Sequence, residues 1–206
     1  MIIPVLIASI LTNTFGFLVL LFILWKRLKE DFASEIIFKL GFSILLGIGL
    51  GKALSIWLLP DYFLWLGFIG GVLGLITTAL KFRDHFYELF EGYVIAALPW
   101  LSFTFLFDSV KKSSFSSFVA FVVILILIFV AYFLSAHYKS FNWYKSGRIG
   151  FAGLVTMILI FVIRFILAII AIDVLSFVGK FEVVMSGLGI AACFILLFDL
   201  ARIKEK

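Results

Sequence analysis

Apolar residues run along this chain in seven long blocks separated by short polar gaps. The blocks are Ile3–Trp25, Glu35–Leu59, Tyr62–Leu80, Phe86–Phe107, Ser117–Ala136, Ile149–Ile172 and Glu182–Leu200. A helix needs about 20 apolar residues to cross roughly 30 Å of hydrocarbon. Every block meets or approaches that length, so the pattern predicts an all-α, polytopic membrane protein of about seven transmembrane helices. Pro60-Asp61 closes the second block and Pro99 interrupts the fourth, where a bend is expected because proline removes a backbone donor. The first block lacks a preceding positive region and a small-residue cleavage site, so it reads as a retained span rather than a signal peptide. The gaps are short, and residues 1–206 read as a single transmembrane domain.

Composition agrees with lipid as the solvent. Of the 206 residues, 65% are hydrophobic and 14% charged, and the mean hydropathy is +1.26. A soluble domain carries about 25% charged residues, so a water-soluble fold of this size could not hide so much apolar surface. The net charge of +5 does not point to nucleic acid, because the basic residues cluster in the gaps between apolar blocks. Those gaps also orient the chain. Lys26, Arg27, Lys29, Lys81, Arg83, Lys139, Lys145, Arg148, Arg202, Lys204 and Lys206 fall on one side, against Lys111, Lys112 and Lys180 on the other. The basic side is expected to be cytoplasmic, which places the N-terminus outside and the C-terminus in the cytoplasm. Trp25, Trp57, Tyr62, Trp65, Trp143 and Tyr144 lie near the block ends, where amphipathic rings prefer to sit. The lone Cys193 excludes a disulfide framework. His85 and His137 lie in different loops, and no metal site or cofactor is expected.

Three cations lie within the apolar blocks: Lys39, Lys52 and Arg164. Lys39 is close to a block end and can snorkel to the surface, and Lys52 could reach the outer headgroups in the same way. Arg164 lies near the middle of the sixth block. A charge at that depth costs roughly 2.5–3.5 kcal/mol on insertion scales and is kept with a partner or a wet cavity. Its helical face carries Gly153, Met157, Phe161, Ala168 and Ala171, which suits contact with other helices. Guanidinium grips phosphate in a bidentate fork, so an anion clamp on a lipid phosphate is one reading and a carbonyl-satisfied structural arginine the other. Glu88 and Glu91 open the fourth block, where carboxylates favour the helix dipole. Glycines at 41, 47, 49 and 51 and at 67, 70, 71 and 74 give close-packing seams, with backbone approach to a ligand as the alternative.

The order of several short motifs is similar to one family. These are Trp25-Lys26-Arg27-Leu28-Lys29, Gly49-Leu50-Gly51-Lys52, Gly70-Gly71-Val72-Leu73-Gly74, Ala96-Ala97-Leu98-Pro99, Arg164-Phe165-Ile166-Leu167 and Gly179-Lys180-Phe181-Glu182. In order and spacing, from about Ile10 to Leu200, the chain resembles the bacterial prolipoprotein diacylglyceryl transferases. The resemblance implies seven spans and a plasma-membrane location. It also implies transfer of the diacylglyceryl group of phosphatidylglycerol to a lipobox cysteine of a lipoprotein precursor. It assigns Arg164 and Lys52 to the lipid phosphate and Gly70 and Gly71 to the lining of the site. Ile69 stands where the family has histidine, Phe15 where it has tyrosine, Leu106-Phe107-Asp108-Ser109 where it has an arginine-rich signature, and Ala168 where it has an acid. The implied activity is therefore altered or lost, and no catalytic residue is assigned. The expected partners are a membrane phospholipid and a lipoprotein precursor. The alternatives are a non-catalytic lipid- or partner-binding membrane protein, or a small transporter using Arg164, Lys52 and Asp173.

Overall fold

A computed structural model describes residues 2–80, 85–141, 144, 149–170 and 179–202, with the backbone alone for residues 2–10 and Lys180. Among these residues the chain is helical and contains no strand. The elements are α1 (Ile2–Leu28), α2 (Ser34–Leu58), a 3₁₀ turn (Pro60–Tyr62), α3 (Phe63–Ala79), α4 (Phe86–Lys112), α5 (Phe115–His137), a second 3₁₀ turn (Tyr138–Ser140), α6 (Phe151–Ile169) and α7 (Lys180–Arg202). All seven α-helices are long and apolar enough to cross a membrane. The protein is thus a multi-pass membrane protein, as the block pattern predicts. The helical part of the fourth block extends further than its apolar part, to Lys112, and continues through Pro99. Asp173 and Trp143 lie outside the described residues.

Lipid as solvent explains which faces are apolar. In α2, Phe38, Phe42, Leu46 and Leu50 point outward at i, i+4 spacing. Leu40, Ile44 and Ile48 are fully buried on the other face. Both faces are hydrophobic, a pattern that suits a helix between protein and acyl chains and not one between protein and water.

Contacts between side chains fix an up-and-down order. Arg27 near the end of α1 meets Glu91 near the start of α4 and Ser135 near the end of α5. Tyr87 of α4 bonds Asp199 near the end of α7 at 2.7 Å. At the opposite end, Asp108 of α4 accepts from Ser117 of α5 at 2.6 Å and pairs with Lys112 at 2.9 Å. The turn between α4 and α5 is two residues long: Ser113 adopts the left-handed conformation (φ 50°) and Ser114 caps α5. We call these the Arg27 end and the Lys112 end. α4 is the most buried span and touches α1, α3, α5 and α6.

The α2–α3 pair is the closest. A Cβ on Gly47 would overlap the carbonyl of Gly70, one on Gly51 the carbonyl of Leu66, and one on Gly74 the carbonyl of Ser43. With no hydrophobic drive between helices in lipid, association depends on such close backbone approach. The seam is built from glycines because no side chain would fit.

Glu91 has a role that its position in the first turns of α4 does not suggest. It is 2% exposed, and its Oε2 accepts the backbone N–H groups of Gly150, Ala152 and Gly153 at 2.9, 3.1 and 3.3 Å. These donors belong to the start of α6, where N–H groups lack intrahelical partners. The carboxylate therefore caps α6 rather than its own helix, and Arg27 balances its charge. Gly150 has φ 124°, and a Cβ there would lie 2.7 Å from Cβ of Tyr87, so this turn requires glycine. Glu88 instead pairs with His85 at 2.9 Å on the surface.

Candidate functional site: a buried arginine–glutamate pair between two apolar cavities

Arg164 sits on α6 in the half of the bundle nearer the Lys112 end. It is 14% exposed, and its Nε donates to Oε1 of Glu182 at 2.6 Å. Glu182, in the first turn of α7, is fully buried. Its Oε2 accepts from Trp65 Nε1 at 2.9 Å and its Oε1 from Ser186 at 3.2 Å. The carboxylate thus receives donors from α3, α6 and α7, as burial of a polar group requires. The guanidinium carbon also lies 5.5 Å from the Trp65 ring, within range of a cation–π contact. Trp65 in turn stacks on Phe161 with centroids 5.6 Å apart and rings nearly parallel. The arginine is therefore held in place and turned inward.

Two cavities meet at this residue. The first lies among α3, α4 and α6 and is lined by Trp65, Phe68, Tyr93, Ala97 and Trp100. The second lies among α4, α5 and α6 and is lined by Phe105, Phe115, Ala120, Ile124 and Leu167. Leu101, Ile160 and Arg164 line both. Of these three shared residues, Arg164 alone is polar.

Lys52 projects inward rather than outward to headgroups, contrary to the snorkelling expected for it. Its Nζ donates to the Asn13 side chain at 3.3 Å. It sits 4.3 Å from the Trp100 ring and 5.9 Å from each of Phe17 and Phe63. Trp100 belongs to the lining of the first cavity, so Lys52 stands behind that wall while Arg164 is part of it. Lys39 behaves as expected of a snorkelling residue, exposed and paired with Glu35 at 2.6 Å. Gly70 faces Gly47 in the α2–α3 seam, and Gly71 packs against the Tyr93 hydroxyl and Ile48. The structure therefore places Gly71 beside a lining residue and Gly70 one helix face away from the cavity.

Arg164 is legible in the sequence, but its partners are not. Glu182 marks the start of an apolar block, and a carboxylate there reads as an interfacial residue until the neighbouring helix is known. Trp65 and Tyr144 read as interface aromatics, yet they are 6% and 3% exposed. The indole of Trp65 reaches inward to a carboxylate. The Trp100 Nε1 is buried without a hydrogen-bond partner, a feature that no linear pattern signals. Among the described residues no cluster of His, Cys, Asp and Glu could hold a metal ion. Cys193 is buried.

Fold and site together define a multi-pass helical membrane protein with a neutralised cation at the junction of two apolar cavities. No family model matches the chain, and neither a curated protein nor a solved structure matches it.

Proposed function

We propose that this protein binds a phospholipid of the plasma membrane, with the lipid's polar group at Arg164 and its apolar part in the adjoining cavities. The observation that carries this reading is that one part-buried guanidinium lines two apolar cavities at once. An acyl chain that enters from the bilayer exchanges one apolar surrounding for another, so it gains little from hydrophobic burial. Affinity must then come from the polar anchor. Arginine suits a phosphate ester because its donors are planar and fixed. Arg164 and Lys52 both project inward on this side of the bundle, and a cationic anchor suits an anionic lipid such as phosphatidylglycerol.

Binding without diacylglyceryl transfer is the form of this reading that the residues support. Transfer to a thiol needs a base near the incoming sulfur and stabilisation of a departing phosphate. The ionisable side chains lining the first cavity are Tyr93 and Arg164, and the second is lined by Arg164. The carboxylate at hand, Glu182, already accepts from Arg164, Trp65 and Ser186.

The test is lipid analysis of the purified protein by mass spectrometry. Wild-type protein should retain phospholipid through detergent exchange, and Arg164→Gln should retain several-fold less. Equal retention by the two proteins would sink the reading. Incubation with phosphatidylglycerol and a lipobox peptide should leave the peptide mass unchanged. A gain of one diacylglyceryl group would establish transfer instead.

A further inference from the structure

We propose that Lys52 and Trp100 form a site for a small inorganic anion of the halide class, apart from Arg164 and independent of what Arg164 binds.

Three helices bring the site together. Asn13 and Gly16 lie three positions apart on α1 and so share a face. Lys52 comes from α2 and Trp100 from α4. The Lys52 ammonium donates to Asn13 Oδ1 at 3.3 Å and lies 4.3 Å from the Trp100 ring. A Cβ on Gly16 would overlap Trp100 Cδ1 and lie 3.2 Å from its Nε1, so the polar edge of the indole faces α1 at this glycine.

Donors are in surplus here. An ammonium carries three N–H groups and an indole one. Among the described residues Lys52 makes its one hydrogen bond to Asn13 and forms no ion pair, and its other neighbours are the rings of Trp100, Phe17 and Phe63. Ring faces attract an ammonium but carry no net charge. Trp100 is 7% exposed, and its Nε1 bonds nothing. A buried donor that no protein group satisfies marks a place for water or an ion. Water would bring two further donors to a pocket already rich in them. An anion accepts from every donor, offers none, and supplies the negative charge that Lys52 lacks. Arg164 differs in this respect, because Glu182 already neutralises it.

The surroundings select a small ion. Gly16 covers the indole edge, and Phe17 and Phe63 stand 5.9 Å from the ammonium. Trp100 separates Lys52 from the first cavity, so a lipid headgroup at Arg164 lies on the other side of the indole. Lys52 is half-buried and lies about 9 Å short of the end of α2. That end of the bundle exposes Lys111 and Lys112, whose field draws anions from water.

The experiment uses full-length protein in detergent, with unfolding on heating followed by circular dichroism. Chloride replaces gluconate at constant ionic strength. The wild-type midpoint should rise by several degrees and saturate, and bromide should act like chloride. Lys52→Met should abolish the rise. Trp100→Phe keeps a ring and removes the N–H, and it should weaken the apparent chloride affinity on the order of tenfold, the worth of one hydrogen bond to a charged acceptor. Arg164→Gln should leave the rise intact, whatever it does to lipid retention. A wild-type midpoint that ignores chloride, or that climbs without saturating, would overturn the site and leave water as the acceptor. An undiminished rise in Lys52→Met would overturn it too, and loss of the rise in Arg164→Gln alone would move the ion to the arginine. The wild-type titration needs no variant, so a variant that misfolds does not shelter the proposal.

Discussion

At the level of single residues, the two buried glutamates among the described residues, Glu91 and Glu182, are each paired with an arginine. Arg164 has Glu182, and Arg27 has Glu91. Such pairs add little net stability over apolar replacements, but removing one partner strands the other. Glu182→Gln should therefore destabilise the protein by roughly 3 kcal/mol, the low end of the range for breaking a buried pair. The low end applies because an unfolded chain in lipid also finds polar partners. The double variant Arg164→Met with Glu182→Leu should be more stable than Glu182→Gln alone. Unfolding by heat, followed through tryptophan fluorescence in detergent, checks both statements. A double variant less stable than Glu182→Gln would contradict them. The sequence makes Arg164 legible because a guanidinium in mid-block must have a partner or a wet cavity. Glu182 is not legible in the same way, because a carboxylate at a block end looks like a surface residue. Its burial follows from the approach of α3 and α6, which no single-helix pattern encodes.

At the level of elements, the glycine seam separates positions that look alike in sequence. Gly47 and Gly49 lie two residues apart in the same helix. A Cβ at Gly47 would overlap the Gly70 carbonyl, whereas one at Gly49 would meet nothing within 4 Å. Gly47→Val should cost about 3 kcal/mol through overpacking. Gly49→Val should be close to neutral, and a comparable loss in both would refute the seam geometry. The span pattern was legible throughout, since twenty apolar residues in a row leave one structural solution in lipid. Helix ends were less so. The polar Asp108-Ser109-Val110-Lys111-Lys112 stretch reads as a loop, yet it continues α4 because Asp108 is satisfied by Ser117 and Lys112. Glu91 was legible as a helix-start carboxylate, but the helix it caps is α6, more than fifty positions further along the chain.

At the level of the whole molecule, seven antiparallel spans put the start of α1 and the end of α7 at opposite ends of the bundle. The basic gaps set the direction, with the C-terminus expected in the cytoplasm. A green fluorescent protein fused after Lys206 should fluoresce, and alkaline phosphatase fused at the same place should be inactive. The reverse pattern would invert the orientation. The Glu91 junction has a mechanical consequence. At the Arg27 end, α4 and α6 are joined by three hydrogen bonds from the α6 backbone to one carboxylate. Further along, where the cavities lie, the residues shared by both from α4 and α6 are the apolar Leu101 and Ile160, with Arg164. The pair is built like tweezers, fastened at one tip. Spin labels at Val110 and Ile169, at the free ends of α4 and α6, should report a changed separation when lipid is added, while labels at Glu88 and Val155, at the fastened ends of the same two helices, should not. Movement at the second pair alone would place the fulcrum elsewhere. A bilayer component would then enter sideways at the open tips, and the Arg27 end would stay sealed throughout the exchange.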